Sequence, residues 1–173
     1  MNATRCLLAA IAATALAGCA SMMGGAKANA TLAPTAGNST TGTVRFAQHA
    51  GKVLVSGEVR GLRPNAEHGF HVHEKGDCSS SDGTSAGGHF DPATNPHGRH
   101  GMGSHHAGDL VSLRADASGT ARFSFESTAI SVGSGMADVV GRGLIVHRDA
   151  DDYVTQPTGN AGARLACAVI VRG

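Results

Sequence analysis

The sequence predicts an all-β domain, a sandwich or barrel of short strands carrying two long functional loops. Glycine supplies 25 of the 173 residues, about twice its ordinary share, and it sits with Pro, Asn, Ser and Thr between apolar runs, which is turn chemistry. Those runs are short and several alternate with a period of two, the spacing of a strand with one covered face. No helical period is sustained beyond the first 19 residues. With 16% charged and 41% hydrophobic residues, the chain is neither a disordered polyelectrolyte nor a coiled coil. Its formal net charge of +1 offers no electrostatic footprint for nucleic acid. The length fits one domain.

The first residues read as a leader. Arg5 precedes an apolar run from Leu7 to Ala17, too short for a bilayer span of about 20 residues and suited to a secretory signal. Leu16-Ala17-Gly18-Cys19 resembles a bacterial lipobox. That resemblance implies cleavage after residue 18, acylation of Cys19 and an anchor in a lipid membrane. Ala20 and Ser21, with no Asp after the cysteine, favour the outer membrane, at the periplasmic or the outer surface. Residues 19–41 are then the lipidated cysteine and a flexible tether, rich in Ala, Gly, Ser, Thr, Met and Asn. The domain begins at residue 42. Cys78 and Cys167 remain as an even pair in an oxidising compartment, which reads as a disulfide. It would close a loop of 89 residues, worth about 4–5 kcal/mol by chain entropy. Free thiols or a pair of metal ligands are the alternatives.

The strands follow in order. Thr43–Ala47 and Lys52–Arg60 flank a turn at His49-Ala50-Gly51. Val53, Val55, Gly57 and Val59 share one face of the second. Gly61–Asn65 turns the chain into a strand over Glu67–His73. Thr120–Ser127 places Ala121, Phe123 and Phe125 opposite Arg122, Ser124 and Glu126. Leu144–His147 and Arg164–Val171 are short apolar strands. Glu74–His105 and Arg148–Ala163 fit no strand, and long structureless loops in a compact domain are usually functional.

Histidine is the unusual residue. Eight of the ten lie between His68 and His106. In His71-Val72-His73 the two imidazoles project from the same strand face and can grip one metal. His89, His97, His106 and Asp109 follow, and a later strand ends at His147. Six imidazoles and a carboxylate are too many for one tetrahedral site, so two metals are the simpler account. Imidazole suits copper and zinc, and zinc tolerates a carboxylate oxygen.

Five segments together carry a resemblance: Gly69–Glu74, Ser85–Pro92, His105–Leu110, Gly141–His147 and Gly159–Cys167. In order and spacing they resemble the copper/zinc superoxide dismutases, in their bacterial secreted branch, over about residues 42–173. The resemblance implies an eight-stranded Greek-key β-barrel, an Ig-like sandwich, with one copper and one zinc per chain. It gives His71, His73, His89 and His147 to copper. It gives His89, His97, His106 and Asp109 to zinc, with His89 bridging the two. Asp151 resembles the carboxylate that ties a copper histidine to a zinc histidine. Arg164 resembles the arginine that attracts the superoxide anion, and Cys78–Cys167 matches the family's internal disulfide.

The implied activity is dismutation of superoxide to O₂ and H₂O₂ through Cu(II)/Cu(I) cycling, protecting the space outside the cytoplasm, with Arg164 and His89 as catalytic residues. Monomer and homodimer both stay open. Two other readings compete. One is a non-catalytic copper-binding or delivery module with the same barrel, which would have no use for Arg164. The other is a cupin-type metal barrel, which would have no use for His89, His97, His106 and Asp109. His100 competes with His97 as the zinc ligand; Asn95-Pro96-His97-Gly98 favours His97. Arg148–Gly162 holds no Lys, which leaves the source of electrostatic steering beyond Arg164 open.

Overall fold

The computed structural model describes residues 25–173. The leader and Cys19 lie outside the described residues. The described residues form ten strands: β1 (Lys27–Pro34), β2 (Thr41–His49), β3 (Lys52–Arg60), β4 (Glu67–His68), β5 (Phe70–His73), β6 (Leu113–Arg114), β7 (Ala121–Ser127), β8 (Gly143–His147), β9 (Arg164–Val169) and β10 (Val171–Arg172). Only Gly69 separates β4 from β5, and only Ile170 separates β9 from β10. Each of those pairs works as one interrupted strand, which leaves eight. Among the described residues there is no α-helix, only a short 3₁₀ turn at Thr84–Ala86.

Among the described residues every strand pairing is antiparallel, and an isolated Ser131–Asp138 bridge is parallel. The main sheet runs β5-β8-β9-β1-β2-β3-β7, with β10 on β1, and β4 pairs β6. The path therefore curls from β6 through the β4/β5 strand to β7, which follows β6 in the chain. β1, β2 and β3 make a meander. The chain then crosses an end of the barrel to reach β4 at the opposite side of the sheet, and it crosses again between β7 and β8. These crossovers give the Greek key.

The alternation predicted for β2, β3 and β7 places their side chains. Val44, Phe46, Val53, Val55 and Val59 face inward and are buried. Phe123 packs edge-on against Phe70, with ring centroids 5.4 Å apart, a geometry that adds to area burial.

One expectation is overturned. Residues 27–34 are not tether but strand β1, held between β2 and β9. Ala28, Ala30 and Leu32 alternate inward against Lys27, Asn29 and Thr31. The period of two was present, but alanines carry it, and small side chains with low β-propensity look like linker. Their size is what the wall needs, because large side chains from neighbouring strands already fill the barrel. The domain thus starts at least 15 residues earlier than residue 42 (42 − 27). Leu113–Arg114 was also missed, since two residues carry no periodicity.

β5 and β8 use both faces. Phe70, Val72, Leu144 and Val146 enter the core cluster, so His71, His73, Ile145 and His147 must point outward. All are buried even so, because the loops after β5 and β8 cover that outer wall. The first of these loops is fastened by the Cys78–Cys167 disulfide, with Cα atoms 5.8 Å apart. The bridge sits on a small apolar cluster of Ala86 and Ile145.

Because β1 is an interior strand of the sheet, a chain beginning at residue 41 should fail to fold, whereas one beginning at residue 25 should fold. Circular dichroism and urea unfolding of the two chains, each loaded with copper and zinc, check this; cooperative unfolding of the shorter one would contradict it.

A paired metal centre on the outer wall

His71, His73, His89 and His147 bring their ring nitrogens together, and His89, His97, His106 and Asp109 form a second group beside them. β5 supplies His71 and His73, the last residue of β8 supplies His147, and the loop between β5 and β6 supplies the rest. A register shift between Val146 and His147 leaves Leu165 extra on β9 and sets Arg164 opposite His147, which is how a bulge re-aims a side chain.

Hydrogen bonds fix the tautomers of the first group. His73 Nδ1 donates to Gly87 O at 2.9 Å and His147 Nδ1 to Gly162 O at 3.1 Å. His71 Nε2 donates to Asp151 Oδ2 at 2.7 Å. The remaining nitrogens are lone pairs. His73 Nε2 and His147 Nε2 face each other at 3.4 Å, and His71 Nδ1 and His89 Nε2 are buried without a partner. Four acceptors turned on one point and shielded from water make a site that a cation would satisfy.

The second group is as tight. Asp109 Oδ1 lies 2.9 Å from His89 Nδ1, 3.0 Å from His97 Nδ1 and 3.3 Å from His106 Nδ1. Asp109 Oδ2 is held by the backbone N–H groups of Gly98 at 3.0 Å and His106 at 2.9 Å. Three imidazoles and one carboxylate make a closed four-ligand set, the kind that holds zinc. The all-imidazole group suits copper or zinc. His89 has one ring nitrogen in each group, so a single imidazole joins them.

Asp151 ties the groups together from behind. Its Oδ2 takes His71 Nε2–H, and its Oδ1 takes His97 Nε2–H at 2.9 Å and Tyr153 N–H at 2.7 Å. Gly159 closes over this contact with φ +64°, and a Cβ there would overlap Asp151 Oδ1 and His97 Nε2.

Charge in the metal-free protein follows from these contacts. Burial lowers His73 well below its ordinary range, lowers His147 to about 3 and, despite the Asp109 hydrogen bond, lowers His89 to about 4. Burial also works against protonated His97, but Asp109 and Asp151 outweigh it and raise that histidine to about 9. Burial favours the neutral forms of both carboxylates, yet their histidine hydrogen bonds hold them well below the usual range.

Each residue singled out from the sequence for metal binding thus lies in one group or the other. Three of the four histidines outside both groups donate to main-chain carbonyls. His100 Nδ1 donates to Asp109 O at 2.9 Å, His105 Nδ1 to His106 O at 2.8 Å and His68 Nδ1 to His147 O at 2.9 Å. Arg164 donates to Gly83 O and Gly87 O, both at 2.6 Å, so it shares the Gly87 carbonyl with His73.

Two supporting residues were not legible. Gln156 grips the main chain of His97 from both sides: its Oε1 accepts His97 N–H at 2.8 Å and its Nε2 donates to His97 O at 3.0 Å. Tyr153, the only tyrosine, donates its hydroxyl to Glu67 Oε1 at 2.8 Å, and the Arg99 guanidinium lies 4.1 Å from its ring centre. No spacing links Gln156 to His97, 59 residues away; the lone tyrosine in a loop was the one available signal.

A β-barrel bearing two buried four-donor groups that share one imidazole is a dinuclear metalloprotein. The family model for copper/zinc superoxide dismutase (SODC) matches residues 40–170, and the chain belongs to that family. It is 44% identical over 136 residues to Superoxide dismutase [Cu-Zn] of Paramecium bursaria Chlorella virus 1, covering 75% of this chain and 71% of the relative. It is 36% identical over 148 residues to Superoxide dismutase [Cu-Zn] 2 of Aquifex aeolicus (strain VF5), covering 83% and 86%. Among solved structures, the clock protein EA4 aligns with a TM-score of 0.76 and 39% identity, over 84% of this chain and 93% of that one.

Two outcomes follow. Gln156→Ala frees the His97 backbone and should speed zinc loss to a chelator about tenfold, the low end for groups that support metal ligands, while copper content stays level. An unchanged zinc loss rate would contradict the clamp. In the metal-free protein, unfolding stability should peak near pH 6.5. Below it, the unfolded chain takes up protons that His73, His89 and His147 refuse. Above it, the His97 contribution is lost as pH rises towards about 9. Urea midpoints across pH check both limbs, and a flat alkaline limb would contradict the His97 assignment.

Proposed function

We propose that this protein dismutates superoxide, taking two superoxide ions and two protons to O₂ and H₂O₂. His71, His73, His89 and His147 hold copper, and His89, His97, His106 and Asp109 hold zinc. The observation that carries the reading is the shared His89 imidazole, with Arg164 opposite His147 on the neighbouring strand and on the same Gly87 carbonyl as His73. When bound, copper supplies a one-electron couple, and zinc, which has no redox chemistry, supplies fixed positive charge.

The chain supplies the rest. Arg164 attracts the small anion and orients it by charge-assisted hydrogen bonds. Its own direction is set by the Gly83 and Gly87 carbonyls. His89 Nε2 is where the chain takes up a proton and passes it to the departing peroxide. Asp151 keeps the His71 and His97 rings in place through the cycle, and the barrel wall holds the other imidazoles in fixed tautomers. Storage or delivery of copper would leave Arg164 without a task.

The lipobox-like Leu16–Cys19 supports a lipid-anchored position outside the cytoplasm. With β1 beginning at Lys27, only residues 20–26 separate Cys19 from the sheet, a span of at most about 29 Å. The enzyme would then work close to the membrane surface rather than on a long leash.

Arg164→Ala should lower the dismutation rate at least about tenfold, the worth of a hydrogen bond to a charged group, with copper and zinc content unchanged. Full activity would remove Arg164 from the mechanism. Cys19→Ser should move the protein from the membrane fraction to the soluble one; continued membrane recovery would contradict the anchor.

A further inference from the structure

The cleft beside Arg164 is lined by Thr35, Asn38, Asp82, Thr84, Gly162 and Arg164, among others, and has a volume of about 320 Å³. Gly162 also accepts the His147 ring N–H, so this cleft borders the proposed copper ligands. It holds one cation and one anion. Asp82 is exposed but fixed: its Oδ1 accepts Thr84 N–H at 3.0 Å and Thr84 Oγ1–H at 2.7 Å. Among the described residues no cationic group lies within 4.0 Å of it, whereas two flanking segments carry matched pairs. Arg148 meets Asp149 at 3.0 Å, and Lys75 meets Glu74 at 3.9 Å. Burial lowers the Arg164 guanidinium from its ordinary value, and the Asp82 charge opposes that shift, so the two groups feel each other across the cleft.

We infer that Asp82 is a rate-setting residue: a fixed negative charge at the entrance that offsets Arg164 and slows the arrival of anionic substrate. The inference rests on the dismutase reading and addresses the charge balance that the lysine-free loop over residues 148–162 left open. An entrance carrying one charge of each sign has little net field, so the wild-type rate should depend weakly on ionic strength. Removing Asp82 exposes the Arg164 field. A unit charge acting through roughly 8 Å of water changes local anion concentration about twofold.

The test compares the copper- and zinc-loaded wild type with D82N and D82K at low and high salt. Two quantities are read: the superoxide dismutation rate, and the affinity for azide, a small anion whose binding is followed by the copper absorption band. Asparagine keeps an acceptor for Thr84, so D82N preserves the loop, and metal content reports any misfolding. D82N should raise both the rate and the azide affinity about twofold at low salt, D82K should raise them further, and both gains should vanish at high salt. Unchanged rate and unchanged azide affinity in D82N would overturn the inference, as would a gain that salt does not screen. A wild type that binds azide but does not dismutate superoxide would overturn the dismutase reading instead, and the azide comparison would still decide the role of Asp82.

Discussion

Each imidazole of the first metal group except the bridge commits one ring nitrogen to a protein acceptor, and that commitment turns the other nitrogen into a lone pair aimed at a common point. The centre depends on this constraint. Gly87 O and Gly162 O leave no proton to place between His73 Nε2 and His147 Nε2. A buried group of acceptors costs free energy that a cation among them offsets. The metals therefore belong to the fold as much as to the chemistry, and what holds the rings also sets the site's electrostatics.

The barrel makes such a cluster affordable in space. Strand alternation sends Phe70, Val72, Leu144 and Val146 inward, so the histidines between them must leave by the outer wall. They would be solvated there if two long loops did not fold over them. The disulfide fastens one loop to β9, and Asp151, Tyr153 and Gln156 fasten the other to its neighbour. Rigid strands set three of the ligands and tied-down loops bring up the remainder, the arrangement that holds ligand geometry within the tolerance a metal demands.

Much was legible before any coordinates. While the family resemblance picked out His89, His97, His106 and Asp109, the other residues of the two donor groups were readable from a local pattern, His71-Val72-His73 by strand alternation and His147 at a strand end. The larger strands were readable for the same reason. β1 was not, because its alternation is carried by Ala28 and Ala30, which look like tether. Gln156 and Tyr153 act on partners far along the chain, and no local pattern records a bond across 59 or 86 residues.

The sequence by itself determined the residue chemistry: strands with one apolar face, a surplus of imidazoles with a carboxylate, and one cysteine pair able to close a loop. Tertiary structure alone decided which nitrogen of each ring is free, which residues stand behind the ligands, and that Asp82 and Arg164 share a cleft. The reason is physical. Composition and period are properties of neighbours along the chain, whereas tautomer, support and local field depend on atoms that only folding brings within a few ångströms.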